Sequence, residues 1–184
     1  VIGGSVGDWY GPTTGSNAGG VAHLNSFTSS IDDPAFVFGA DYGIPIDIAE
    51  AVSHEAGHTL GLVHDGQFRF YKDTADEGKI VRLYVNYYPG HGTGETSWAP
   101  IMGVSYGMTL TQWSKGEYFN ATNDSKGEVS LQDDLAVITT GNGFDYRPDD
   151  HGSTVAEAEA LTVDPDAPNA DIRTYTAEGI IERN

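Results

Sequence analysis

No cysteine occurs among the 184 residues. That excludes a disulfide framework, thiolate metal ligands, cysteine nucleophiles and iron–sulfur clusters. Positive charge is scarce: 9 Lys and Arg stand against 27 Asp and Glu, for a net charge of −18. Nucleic acid is therefore excluded as a partner, because binding it needs a basic footprint, and anionic membrane surfaces are disfavoured for the same reason. No apolar run approaches the roughly 20 residues of a spanning helix, so no membrane insertion is expected. The chain has no Lys/Arg-led apolar opening and starts at Val1 without an initiator Met. It reads as a mature or excised piece, with any export signal upstream.

What is present is enough for one domain with a hydrophobic core and the start of a second, since 39% of residues are apolar. The excess acid reads as a solvated surface, with calcium binding by some carboxylates as the sharper alternative. Asp32 with Asp33, Asp133 with Asp134 and Asp149 with Asp150 are the acidic clusters, and none has calcium-loop spacing. Residues 1–20 read as a strand end and a long Gly/Ser/Thr loop around Trp9 and Tyr10. Residues 20–28 and 35–38 read as strands. Pro45 to Leu60 is the clearest helix, with Asp47 in its first turn and Gly61 as its breaker. Residues 65–100 read as irregular apart from a strand at 80–85. Residues 101–103 form a tight turn, 111–121 a short turn or helix, and 130–140 a helix. The fold class is α+β. Composition shifts after Gly141, giving a domain over 1–147 and a linker or domain entry over 148–184.

The chemistry is concentrated in His54-Glu55-Ala56-Gly57-His58. Residues four apart share one helix face, so both imidazoles can reach one ion. Glu55 is rotated about 100° from His54, placing it to hold a water rather than to ligate. Gly61 lets the chain turn, and His64 approaches from another side. Three neutral imidazoles with an open fourth position describe a catalytic zinc site. The pattern His-x-x-x-His-x-x-Gly-x-x-His with Glu after the first His arises by accident on the order of once in ten thousand chains or fewer, so coincidence is set aside.

The segment Val52 to Asp65 resembles the zinc signature of the metzincin metallopeptidases. Ala99-Pro100-Ile101-Met102-Gly103 resembles the Met-turn of that family. The resemblance covers about residues 1–147. It implies a twisted mixed sheet, an active-site helix and a C-terminal subdomain after the third His. It also implies that the family's first strands and first long helix lie upstream of Val1. Met102 would form an apolar base under the ligands. Asp65 would tie the helix turn to the Met-turn, as in the reprolysin/adamalysin branch. The Tyr that other branches carry two residues after the Met is here Val104, so Tyr106 is not counted as a ligand. Segments around Gly19–Ala22, Trp98–Gly103 and Gln112–Tyr118 are similar to reprolysin-like peptidases of environmental bacteria. The tail resembles the opening of a β-sandwich module.

The implied activity is a secreted, monomeric zinc endopeptidase that takes protein or peptide substrates, with Glu55 as general base to a metal-activated water. Substrate is expected along the edge strand Gly20, Val21, Ala22, His23 and Leu24. Val104, Tyr106 and Met108 would line the pocket beside His54. An inactive zinc-binding adhesion or scaffold relative is the alternative, disfavoured because Glu55 is present. A zinc deacetylase or amidase is the next. His23 and His91 read chiefly as polar surface residues, His151 as part of the tail, and Trp98 and Trp113 as packing around the Met-turn.

Overall fold

The computed structural model describes residues 1–76, 78–123, 130–146, 152, 154–165 and 175–176. The chain is α+β, with few helices and several small sheets, and divides into two compact units, Val1–Gly143 and Phe144–Asn184.

In the first unit a short helix α1 (Tyr10–Thr14) follows a 3-10 turn at Val6–Asp8. A loop was expected there, from the Gly, Ser and Thr content of residues 1–20. The helix owes its place to tertiary contact: Trp9 meets Phe36 and Phe38 edge-on at centroid distances of 5.3 and 6.0 Å, and Tyr10 lies 5.7 Å from Phe38. Strand β1 (Gly20–Val21) pairs antiparallel with β2 (Phe36–Val37). The strand expected over 20–28 stops at Val21. Asn25 adopts φ 62°, which ends extended structure, and Ser26–Thr28 form a 3-10 turn.

Helix α2 (Pro45–Thr59) matches the expected helix to within a residue at its C-terminal end. Pro45 suits the first helical position, where a missing N–H costs nothing. The end is a Schellman motif. Gly61 N–H donates to His58 O at 3.0 Å, Leu62 N–H donates to Gly57 O at 2.9 Å, and Gly61 sits at φ 103°. Leu62 is fully buried and packs back on the helix at Gly57.

The expected irregular stretch after Asp65 instead contains β3 (Gly66–Lys72), paired antiparallel with β4 (Ile80–Val85) from Gln67↔Val85 to Lys72↔Ile80. Strand β5 (Trp98–Pro100) runs parallel to β6 (Leu110–Gln112), and β7 (Ala121–Thr122) joins the free side of β3. Residues 111–121 thus begin as strand and continue as turns rather than as a helix. Strand directions are mixed, but among the described residues of this unit the strands form three separate sheets of two, three and two strands rather than one twisted sheet. Helix α3 (Asp134–Gly141) starts later than expected because Asp133 caps it, its carboxylate accepting from Ala136 N–H at 3.0 Å.

The interior is small and partly aromatic. Tyr88 and Tyr118 stack at 4.0 Å with an 11° interplanar angle, beside Ala121 and Trp98. In the second unit β8 (Thr162–Val163) pairs antiparallel with β9 (Tyr175–Thr176). Asp149, Asp150, His151 and most of the expected β-sandwich opening lie outside the described residues.

Candidate metal centre

His54 and His58 share one face of α2, and the Schellman turn brings the chain back to deliver His64. One ring nitrogen of each lies within 4.8 Å of the others, so the three histidines could hold a metal ion. His58 Nε2 and His64 Nε2 are 3.0 Å apart. Two metal–nitrogen bonds of 2.0–2.1 Å at a tetrahedral angle span about 3.3 Å, so the spacing fits a shared ion.

The outer nitrogens are held from behind. His54 Nδ1 lies 2.7 Å from Ile101 O, and His58 Nδ1 lies 2.7 Å from Leu62 O. A carbonyl only accepts, so each Nδ1 carries the proton and each Nε2 presents a lone pair. His64 Nδ1 faces the Asn86 amide instead, with Nδ2 at 2.8 Å. Burial lowers all three pKa values, His54 to about 3 and His64 to about 4, so the imidazoles are neutral at pH 7.

Glu55 is buried, 7% exposed, and its Oε2 has no hydrogen-bond partner. Burial raises its pKa to about 7. A carboxyl oxygen left unpaired inside a fold costs stability. Its position beside three imidazoles fits a group that handles a proton for a ligand at their open face. Gly20 of β1 presses on it: a methyl at Gly20 would come within 2.6 Å of Glu55 Cγ.

These groups form the floor of an open cleft of about 410 Å³. One wall is Gly20, Val21 and Ala22, and the other includes Val104 and Tyr106, as expected. His23 is not part of that lining; it is exposed, past the end of β1. Met108 does not line the cleft either, its methyl lying by Gly90. Tyr106 and Tyr42 share a 2.9 Å hydrogen bond between hydroxyls at the rim.

Met102 is fully buried, and a Cβ on Gly57 would lie 2.6 Å from its sulfur, so the thioether packs against α2 one residue before His58. Trp113 reaches the same spot, as expected. Trp98 instead bonds Gln112 through its indole N–H and packs on the Tyr88–Tyr118 stack. Asp65 joins the two turns through its backbone. Its N–H donates to Met102 O at 2.9 Å and its carbonyl accepts from Tyr88 N–H at 2.6 Å. Its carboxylate turns to Asn123, and both Asp65 and Asp134 are fully buried, which raises their pKa values. His91 is exposed, 3.0 Å from the Tyr88 hydroxyl.

Tyr10, Asn17 and Ala18 line the cleft without having been expected there, and two residues beside His64 escaped the sequence as well. Tyr87 lines the cleft with its ring 4.2 Å from that of His64, and Asn86 backs the same histidine. They come from the end of the β3–β4 hairpin, and no spacing relative to the histidines marks them. Among the described residues the acidic pairs Asp32–Asp33 and Asp133–Asp134 form no converging metal-ligating group. No protein-family model, curated protein or solved structure matches the chain.

Proposed function

We propose that this chain is a secreted, monomeric zinc-dependent endopeptidase of the reprolysin-like metzincin type. The observation that carries this reading is the convergence of His54, His58 and His64 on one point with the unpaired carboxyl of Glu55 beside it, at the floor of an open cleft. Three neutral nitrogen donors and a free fourth side suit zinc. Zinc bound there would supply Lewis acidity and lower the pKa of water toward neutrality.

The chain's own groups do the rest. Glu55, with its pKa near 7, takes the proton of the attacking water and hands it to the leaving amine. β1 is an edge strand, so an extended peptide can add antiparallel to it and bring its carbonyl over Glu55. Val104 and Tyr106 then shape the pocket for the residue after the scissile bond. Met102 packs against α2 at Gly57, and the Asp65 backbone bond to Met102 ties the turn that delivers His64 to the turn beneath the helix.

The test is zinc content and casein hydrolysis in three proteins. Unmodified protein should carry one zinc and cleave casein in a chelator-sensitive way. Glu55→Ala should keep the zinc and lose hydrolysis, and His64→Ala should lose the zinc. Hydrolysis by Glu55→Ala at the parent rate removes Glu55 as the base, and unchanged zinc affinity in His64→Ala removes it as a ligand.

A further inference from the structure

We propose that the outer edge of β4 is a docking site for an extended acidic polypeptide, which adds to the β3–β4 hairpin as a further strand. The site does not rest on the metal reading above. β4 is the end strand of its sheet, and among the described residues no strand pairs with its other side. Asp73 N–H donates to Lys79 O at 2.9 Å, which makes that opposed pair a hydrogen-bonded one. Bonded and unbonded pairs alternate along an antiparallel ladder. In this register Tyr71↔Val81 and Arg69↔Leu83 are therefore bonded across, while Ile80 and Arg82 turn their N–H and C=O to the outer side. Phe68, opposite Tyr84, agrees: its N–H donates away from β4, to Asn120 O at 2.9 Å.

The side chains supply the chemistry. Arg69, Lys72, Lys79 and Arg82 are four of the nine Lys and Arg in a chain of net charge −18, and neither strand of the hairpin holds an Asp or Glu. Among the described residues Lys79 pairs with Asp73 at 3.7 Å, whereas Arg69, Lys72 and Arg82 form no ion pair. The pleat puts Lys72, Arg82 and the exposed Phe70 on one face, with the Arg82 guanidinium 4.4 Å from the centroid of the Phe68 ring. A hollow of about 340 Å³ lies on that face, lined by Phe68, Phe70, Arg82 and Leu131 among others. The exposed Tyr71, Val81 and Leu83 share the other face.

A long apolar edge invites pairing, and proteins commonly blunt one with charge. Either sign would blunt it. Three cations without an ion pair, in a chain of 27 acids and 9 bases, give this edge the sign that attracts an acidic strand. They also disfavour a second copy, since two β4 edges side by side would set like charges against each other. A ligand residue opposite Arg82 falls on the cationic face, and its two neighbours fall on the apolar one. The matching segment therefore alternates acidic and β-branched residues. β4 runs on into Asn86 and Tyr87 beside His64, so under the peptidase reading the docked segment is a distal part of the substrate.

Fluorescence anisotropy with a labelled, capped peptide of the length of β4, alternating Glu and Val, tests the site in chelator, where no cleavage intervenes. It should bind at least about tenfold more tightly than its Lys/Val counterpart, and more weakly as salt is raised. Lys72→Glu combined with Arg82→Glu should abolish that preference. A strand offers an edge only alternate N–H groups, so N-methylating one set of peptide nitrogens, Glu or Val, should abolish binding while the other set leaves it intact. That arm needs no variant to fold. No binding by the Glu/Val peptide, equal binding of the Lys/Val peptide, equal effects of the two N-methylated sets, or an unchanged preference in the double variant overturns the proposal. Zinc content and casein hydrolysis judge the peptidase reading separately, and their failure leaves this edge untouched.

Discussion

Keeping the Glu55 carboxyl buried with Oε2 unpaired works against folding at neutral pH. Its pKa rises from 4.5 unfolded to about 7 folded, so between those values the folded state holds more protons. Its favourable contribution is complete below about pH 4.5 and lost as pH rises through 7. Glu55→Gln should therefore stabilise the metal-free fold at pH 8 by on the order of 2 kcal/mol, with the gain vanishing toward pH 4.5. Urea unfolding in chelator across that range checks it, and no gain at pH 8 means that the carboxyl is not desolvated. The histidines have the opposite sign. His54 and His64 fall to about 3 and about 4, so protons do not compete for them at pH 6. Three unperturbed imidazoles would lose about 70-fold in metal affinity from pH 8 to pH 6. This site should lose less than about tenfold, as read by zinc titration at both values.

At the scale of elements, the turn after α2 converts a helix face into a three-sided site. Gly61 sits at φ 103°, and a Cβ there would come 2.6 Å from Asn25 Oδ1, whose own N–H donates to His58 O at 3.0 Å. Gly61→Ala should destabilise by at least about 1–2 kcal/mol from the left-handed conformation alone. It should also weaken zinc binding, because His64 is carried by the displaced turn. Unfolding and metal titration read the two effects, and unchanged metal affinity would detach His64 from the turn. The helix and its stop were legible in sequence because Pro45, Asp47 and Gly61 are local signals. β3 was missed although Phe68 and Phe70 alternate with Gln67 and Arg69. Its partners are far along the chain, in β4 and in β7 at Ala121–Thr122. α1 was missed because its aromatic packing on Phe36 and Phe38, not its propensity, overrides Gly11 and Pro12.

For the whole molecule, a small interior and a net charge of −18 leave stability dependent on what binds and what screens. Zinc at a thousandfold excess over Kd should add about 4 kcal/mol, or roughly 10 °C in Tm. Chelation should remove that shift, and salt should raise the Tm of the metal-free chain by screening self-repulsion. Differential scanning calorimetry measures both, and a Tm indifferent to chelator argues against a resident ion. The sequence by itself determined the candidate triad His54, His58 and His64, Glu55 beside it, and the helix that carries His54, Glu55 and His58, because each is written in spacings of a few residues that backbone geometry translates directly. Tertiary structure alone decided that Asn86 and Tyr87 stand behind His64, that β1 ends at Val21 and leaves His23 outside, and that Asp65 joins the turns by its backbone. Those outcomes depend on where distant strands and turns come to rest, and no local spacing encodes that.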